Sequence, residues 1–256
     1  MDIEIINLTV KAKEKLVLDK FNLKINSGEV HVIMGPNGMG KSTLAKVIMA
    51  SPEYEIVSGD ILVDGRSILS LTTDERARLG IFLSFQNPTS VEGVTNQEFL
   101  RMAINSRRDD PIGLYEFIKE LESNYNELNL SKDMMHRYIN SNFSGGEKKK
   151  NEIIQMKMLK PRFLILDELD SGLDVDSLKT VCQVTNQYIL DSHASVLLIT
   201  HHNNILDFIK PDYIHILING KIIKTGDFSL ARIIEENGYK SFESSESIQE
   251  EEALYE

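Results

Sequence analysis

The sequence of 256 residues predicts an α/β fold with a mixed-sheet core, an antiparallel β edge and a helical subdomain. Short apolar runs that end in polar residues, at 163–168 and 195–200, indicate core strands that are buried on both faces. Apolar and polar residues alternate over 3–10 and 16–25, which is typical of antiparallel strands with one solvated face. Residues 88–142 contain few glycines and show helical spacing, which indicates a helical insert.

Composition and charge exclude several classes of protein. The net charge is −11, and the last sixteen residues hold six Glu and no Lys or Arg, whereas general nucleic-acid binding needs a basic face. No apolar run approaches the roughly 20 residues of a membrane span, and no signal peptide follows Met1. The lone Cys182, within an apolar stretch, predicts a buried thiol. We therefore expect no nucleic-acid partner, no direct insertion into a membrane and a reducing compartment.

Local signals place several turns and helices. Asp64-Gly65 and Asn219-Gly220 favour hairpin turns, the second of type I′. A threonine pair at positions 72 and 73, followed by a glutamate, favours the capped start of a short helix. Helical spacing predicts helices over residues 72–79, 144–159, 175–190 and 229–237.

A glycine-rich loop lies between a predicted strand, residues 30–34, and a predicted helix, residues 44–50. It fits the pattern G-x-x-x-x-G-K-[ST], in which backbone N–H groups surround a phosphate, the lysine reaches the β- and γ-phosphates and the hydroxyl binds Mg²⁺. The start of the helix adds partial positive charge. The residues of this loop, which we call the phosphate loop, are predicted to bind nucleotide. They are Gly35, Pro36, Asn37, Gly38, Met39, Gly40, Lys41, Ser42 and Thr43.

Gln86 follows the short apolar strand 81–85. A polar side chain at the end of a core strand can point into the ligand crevice and bind Mg²⁺, although a loop residue without a role fits the sequence equally well. In the insert that follows, helical spacing recurs at 96–107, 113–128 and 131–140. Its exposed face is either a docking surface or simply a solvated helical face.

A capping box opens the helix after the insert. Ser144 and Glu147 have the spacing of such a box, which leaves the paired Gly145 and Gly146 unexplained. Three lysines follow at 148–150, in the first helical turn, where the helix dipole disfavours cations. We expect a phosphate or a carboxylate further along the chain to compensate them, unless the outer two extend into water.

Polar residues also follow two of the buried strands. Asp167 and Glu168 end one apolar run, and His201 follows the next. The carboxyl ends of parallel strands face the ligand crevice in α/β sheets. Asp167 can therefore bind Mg²⁺ through water, and Glu168 can polarise an attacking water as a general base. We expect His201, rather than the adjacent His202, to be functional.

In this order, along nearly the whole chain, the motifs resemble those of the ATP-binding-cassette (ABC) ATPases. The matching elements are the phosphate loop, Gln86, the segment 144–147, the Asp167-Glu168 strand end, residues 171–174 and His201. The resemblance implies one ABC nucleotide-binding domain with a RecA-like core over residues 1–256. Its parts are the catalytic core at 1–87 and 146–240, the helical subdomain at 88–145 and an acidic tail at 241–256.

The same resemblance implies a head-to-tail dimer that holds two ATP molecules. Each ATP lies between the phosphate loop of one copy and the serine–glycine–glycine segment, residues 144–146, of the other. Glu168 would activate water, His201 would contact the γ-phosphate and Lys41 would stabilise the transferring phosphoryl charge. The residues implied to serve Mg²⁺ are Ser42, Gln86 and Asp167. Those implied to complete the site of the other copy are Ser144, Gly145, Gly146 and Glu147.

Two features depart from the family pattern. Phe143 and Glu147 stand where the family segment Leu-Ser-Gly-Gly-Gln has Leu and Gln. Residues 11–18 hold no aromatic side chain that would stack on adenine, so a preference for ATP over GTP depends on the resemblance alone.

One branch of the family is more similar, the SufC ATPases of the SUF iron–sulfur cluster assembly machinery. The similar segments are residues 93–100, 144–152, 167–179, 209–213 and 225–227. This resemblance implies SufB- and SufD-type scaffold partners docked on the helical insert, in a cytoplasm or a plastid-type stroma. It does not imply that this chain holds the cluster, and one Cys with scattered His gives no ligand set.

Other functions remain open at this point. The ATP-binding subunit of an ABC membrane transporter would share all the ATP chemistry. A nucleotide-responsive binding module that does not hydrolyse is a further alternative, against which Glu168 and His201 argue. A DNA-repair ATPase of this superfamily would need a long coiled coil, and the sequence has no sustained heptads.

Overall fold

A computed structural model describes residues 1–239 and residue 242 of the chain. The strands of this part are β1 (Ile3–Ala12), β2 (Lys15–Ile25), β3 (Val30–Met34), β4 (Glu55–Val63), β5 (Arg66–Ser67), β6 (Ile81–Ser84), β7 (Val91–Thr95), β8 (Tyr138–Ile139), β9 (Phe163–Asp167), β10 (Ser195–Ile199), β11 (Tyr213–Ile218) and β12 (Lys221–Gly226). The α-helices are α1 (Lys41–Ile48), α2 (Thr73–Arg78), α3 (Asn96–Asn105), α4 (Leu114–Glu127), α5 (Gly145–Leu159), α6 (Val175–Ser192) and α7 (Ser229–Asn237). Two short 3₁₀ helices span Lys132–His136 and Asn203–Asp207.

The central sheet has the strand order β12-β11-β3-β10-β9-β6. Five of its strands are parallel, and only β12 runs antiparallel, beside β11. Every residue of β3, β9 and β10 is buried, which explains why their sequences are mostly apolar. Because these strands are parallel neighbours, the residues that follow them meet at one edge of the sheet.

The predicted antiparallel edge is a four-stranded sheet of its own, ordered β2-β1-β4-β5. Its buried face shares one apolar cluster with α1 and with one face of the central sheet. Side chains such as Leu8 and Phe21 from the antiparallel sheet meet Leu44 of α1 and Ile33 of the central sheet in this cluster. The helix that follows the phosphate loop is therefore held between the two sheets.

The predicted helices over 72–79, 144–159, 175–190 and 229–237 are confirmed to within about two residues at each end, the usual uncertainty of helix boundaries. The threonine cap is Thr72, whose side chain forms a capping box with Glu75. None of the helices in the described part is long and apolar enough to cross a membrane. The predicted acidic tail, apart from Phe242, lies outside the described residues.

The predicted helix over residues 131–140 is wrong in its second half. A 3₁₀ helix ends at His136, and Tyr138–Ile139 form β8, which pairs with β7. The buried side chain of Asn96 explains the change, because its amide donates to the carbonyl oxygens of Met134 and Arg137. Its backbone N–H also donates to the Arg137 carbonyl, which draws this turn out of helical geometry.

Both predicted hairpin turns are confirmed, with positive φ at each central residue: 48° and 77° at Asp64-Gly65, 48° and 76° at Asn219-Gly220. The surroundings of the two glycines differ. A Cβ atom on Gly220 would lie 2.3 Å from the backbone oxygen of Val17, whereas one on Gly65 would meet nothing within 4 Å. Gly220 thus lets the β11–β12 turn lie directly against β2.

We expect Gly220→Ala to destabilise the protein more than Gly65→Ala. Both substitutions carry the left-handed penalty of roughly 1–2 kcal/mol, since the two φ angles are almost equal. Only the first adds a clash with backbone, for which a further loss of about 1–3 kcal/mol is the usual size. Urea unfolding measures both, and equal losses of the free energy of unfolding would show that the contact with Val17 relaxes freely.

Candidate active site

The phosphate loop lines a cavity of about 370 Å³ at the edge where the parallel strands end. The loop connects β3 to α1, and Gly40 precedes the first residue of the helix. The cavity is lined by Asn37, Gly38, Gly40, Lys41, Ser42, Thr43, Tyr54, Gln86, Glu168 and His201. Of the other predicted loop residues, Met39 packs partly against the core and its sulfur lies 3.5 Å from the Asn219 nitrogen.

Lys41 is folded back over the phosphate loop. Its Nζ donates to the carbonyl oxygens of Gly35 at 2.6 Å and Pro36 at 2.8 Å, and the residue is only 6% exposed. Burial lowers the pKa of this ammonium, while the carboxylates of Glu168 and Asp167 oppose that shift. A positive charge is thus held at the loop, facing two acids, where an anionic group of a ligand would be stabilised.

Ser42 lines the cavity and contacts Asp167, which is not among the lining residues. The serine hydroxyl donates to Asp167 Oδ1 at 3.3 Å. Burial raises the pKa of the Asp167 carboxyl, and the hydrogen bond from Ser42 works in the opposite direction. A hydroxyl, a carboxylate and the amide of Gln86 across the cavity are oxygen donors of the kind that Mg²⁺ takes, so these residues fit the ion.

Glu168 projects from a strained turn into the cavity. Its φ of 48° lies in the left-handed region, which a residue with a Cβ adopts only when the surroundings enforce it. Its backbone N–H donates to the Ile199 carbonyl at 2.9 Å, which fixes the turn to β10. Its carboxylate accepts a hydrogen bond from Gln86 Nε2 and lies 3.5 Å from His201 Nδ1. The structure thus brings together Gln86, Glu168 and His201, which the sequence predicted at the ends of strands.

The Ser144 helix start lies elsewhere. Ser144 and Glu147 form the predicted capping box: the Glu147 backbone N–H donates to Ser144 Oγ at 3.3 Å, and the Ser144 N–H donates to the Glu147 carboxylate at 2.8 Å. This segment lines a different surface depression, together with Arg137 and Asp174. The phosphate loop and the serine–glycine–glycine segment of one chain therefore do not share a cavity in the described structure.

Packing among the described residues does not explain Gly145 and Gly146. A Cβ on Gly145 would approach the Gly172 carbonyl oxygen to 3.5 Å, and one on Gly146 would approach a Leu173 methyl to 3.7 Å, which are ordinary contacts. Neither residue has positive φ. The two glycines leave backbone N–H groups accessible at a helix start, an arrangement that suits an anion supplied from outside the chain.

A carboxylate compensates the middle lysine of the 148–150 run, as expected. Lys149 is 2% exposed and pairs with Glu152, three residues further along the same helix, at 3.5 Å. Lys149 also donates to the Phe85 carbonyl, and Glu152 accepts from the Phe85 N–H at 2.8 Å. Burial raises the pKa of Glu152, which the charge of Lys149 opposes. The outer two lysines are half-buried.

Sequence reasoning missed several residues of this region. Tyr54, in the connection between α1 and β4, lines the cavity without belonging to any motif. His202, to which the sequence assigned no role, has its ring centroid 3.8 Å from that of His201. Its Nε2 lies 3.9 Å from the buried carboxylate of Asp170. Only a tertiary structure places these side chains beside the predicted ones.

Known proteins are similar in sequence to this chain over most of its length. A family model described as ABC transporter matches residues 18–171. Vegetative protein 296 of Bacillus subtilis is 44% identical over 96% of this chain and 94% of its own length. The probable ATP-dependent transporter ycf16 of Trieres chinensis is 46% identical over 93% of this chain and 96% of its own length. A probable ABC transporter ATP-binding protein of Streptococcus pyogenes is 46% identical over 93% of both chains.

Solved structures share the fold. The dimeric cassette MJ0796 of a bacterial ABC transporter has a TM-score of 0.76 at 22% identity, over 88% of this chain and 98% of its own. An ATP-binding subunit of an ABC transporter has a TM-score of 0.76 at 25% identity, over 93% and 94%. The predicted fold, a mixed-sheet cassette with an antiparallel sheet and helices, is thereby confirmed. The chain therefore belongs to the ABC transporter family and is an ATP hydrolase of the ABC type, which uses Mg²⁺.

Proposed function

We propose that this chain is the ATPase of a SUF-type iron–sulfur cluster assembly complex. In this proposal two copies hydrolyse ATP at their shared interface and thereby change the shape of a scaffold of SufB- and SufD-type proteins. The observation that carries the dimer is the separation of the two half-sites, since the serine–glycine–glycine segment lines a depression apart from the phosphate-loop cavity. The choice of the SUF machinery is supported by the similar segments, of which residues 144–152 include the buried Lys149–Glu152 pair.

Within each site the proposed chemistry is attack of a water oxygen on the γ-phosphorus, with cleavage of the bond to the bridging oxygen of ADP. Glu168 accepts the proton of that water, a role that its position in the cavity between Gln86 and His201 supports. Lys41 stabilises the charge of the transferring group, and His201 contacts it. Ser42, Gln86 and Asp167 would hold Mg²⁺, which neutralises phosphate charge when it is bound.

The second copy supplies the remaining donors. In a head-to-tail dimer, Ser144 and the backbone N–H groups of Gly145 and Gly146 would face the γ-phosphate bound by the other chain, and Glu147 holds Ser144 in its capping conformation. The accessible glycines support this arrangement, because a Cβ atom at either position would make only ordinary contacts with the described residues of their own chain. We assign the catalytic core to residues 1–87 and 146–240 and the helical subdomain to residues 88–145.

The helical subdomain is the proposed docking surface for the scaffold. Several large apolar side chains on it or at its border are exposed, which on a monomer is a mark of an interaction surface when they form a patch. They are Phe85, Val91, Met102, Leu114, Tyr115 and Tyr138. A cytoplasm or a plastid-type stroma is the proposed location of the complex. The competing partner is a membrane permease, which the transporter names of several relatives favour.

Glu168→Gln tests the general base. The amide keeps the shape of the side chain but cannot accept the proton, so we expect the hydrolysis rate to fall by about 10²–10⁴-fold while ATP still binds. Phosphate release and nucleotide titration measure the two properties, with the exposed Glu14→Gln as matched control. A variant that turns over at the normal rate would exclude Glu168 as the base.

Lys41→Ala tests the phosphate cradle. Loss of the buried ammonium should weaken ATP binding at least about tenfold, or roughly 1.4 kcal/mol. The control is Lys46→Ala on the same helix, whose ammonium faces outward and pairs with Glu53 at 3.2 Å. Unaltered affinity in the Lys41 variant, measured by calorimetric titration, would contradict the proposed contact with phosphate.

Met102→Asp tests the partner and its docking surface together. Met102 is 70% exposed on α3, and a charge there should release scaffold proteins from the natively purified complex while ATP hydrolysis by the isolated chain stays intact. Leu190→Asp is the matched control, because Leu190 is 59% exposed on α6, outside the helical subdomain. Mass spectrometry of the complex decides between partners: a membrane permease in place of scaffold proteins would overturn the SUF assignment.

A further inference from the structure

Asp170 is a buried acid that has no hydrogen-bond partner in the part of the chain that the structure describes. It lies two residues after Glu168 in the loop that leaves β9, and its side chain is only 5% exposed. Neither of its carboxylate oxygens accepts a hydrogen bond from any of the described residues. Burying an unpaired carboxylate is unfavourable, so a group that can pair with it in a working state is expected nearby.

His202 is the neighbour that can pair with it. The distance from His202 Nε2 to Asp170 Oδ2 is 3.9 Å, longer than a hydrogen bond by about 1 Å. The backbone of His202 is fixed, since its N–H donates to Thr200 Oγ1 at 3.0 Å, while its side chain is 56% exposed and has room to rotate. The pair can therefore close without a change in the backbone.

The thiol of Cys182, on α6, is a further titratable group near Asp170. Burial, and then the charge of Asp170, raise the pKa of this thiol to about 12. The thiol thus stays neutral and at most a weak donor at physiological pH. The imidazole of His202 remains the strong donor within reach of the carboxylate.

Asp170 and His202 lie on the two loops that carry the proposed catalytic groups. Strands β9 and β10 are parallel neighbours, with Asp167 opposite Ile199, so the loops leave the sheet side by side. One loop carries Glu168 and Asp170, and the other carries His201 and His202. The two loops therefore approach each other at two pairs of side chains, with 3.5 Å between Glu168 and His201 and 3.9 Å between Asp170 and His202.

We propose that Asp170 and His202 are a positioning pair, whose hydrogen bond fixes the distance between Glu168 and His201 during hydrolysis. This inference rests on the proposed roles of those two residues. The ring of His202 packs against that of His201, with an angle of 44° between the rings, so the orientation of one imidazole constrains the other. Asp170 and His202 themselves do not line the cavity of the phosphate loop.

The test compares three variants, His202→Ala, Asp170→Asn and the double variant, with the unsubstituted protein. A loosened pair should lower kcat by about tenfold to a hundredfold, the effect of a small misplacement of catalytic groups, while KM for ATP and the melting temperature stay unchanged. The double variant should be no slower than the slower single variant, since each change removes the same interaction. His202→Gln keeps an N–H donor and should recover part of the rate. His136→Ala, at an exposed histidine of the helical subdomain, is the control.

The outcomes separate this inference from the proposed function. A normal kcat in both single variants, independent losses in the double variant, or a rise in KM that accounts for the loss would each overturn the pair. Glu168→Gln is measured in parallel. If that variant is inactive while the Asp170 and His202 variants are normal, only the positioning pair fails; if Glu168→Gln retains the normal rate, the proposed general base fails as well.

Discussion

The burial of the parallel strands on both faces is the constraint on which the site depends. β3, β9 and β10 have no exposed residue, so polar groups that act on a ligand have to lie where the strands end. The register places Asp167 beside Ile199, and the Glu168 N–H donates to the same isoleucine. The phosphate loop, the two acids and His201 converge because they lie at the carboxyl ends of these three neighbouring parallel strands.

A second constraint connects this edge to the serine–glycine–glycine segment. Lys149 and Glu152 lie on α5, the helix that this segment opens, and both bind the backbone of Phe85 at the end of β6. Breaking one half of a buried ion pair typically costs about 3–5 kcal/mol, so this connection is stiff. Gln86, the next residue, is thereby held at a fixed place relative to Ser144 of the same chain. The two half-sites of one molecule are thus connected through α5 and the backbone of Phe85.

Local sequence patterns predicted the elements whose structure depends on neighbours in the chain. The phosphate loop, the Ser144 capping box and the apolar strands that end at Asp167 and at Ile199 have their signals within a few residues. Contacts between distant segments gave no such signal. The β7–β8 pair exists because Asn96 binds carbonyls some 40 residues further on, against the helical spacing of residues 131–140. Likewise, no pattern in the sequence indicates that Tyr54 reaches the cavity.

The rigidity of each chain determines what can vary in the proposed dimer. Lys41, Glu168 and the Ser144 helix start are each held by hydrogen bonds to their own chain, so hydrolysis cannot be controlled by assembling them one at a time. A variable that assembly of the dimer can change is the distance between the phosphate loop of one copy and the glycines of the other. A scaffold bound to the helical subdomain, which carries that helix start at its border, would act on this distance directly. Hydrolysis and movement of the scaffold would then be coupled through the hydrogen bonds that connect these groups within the described part of each chain.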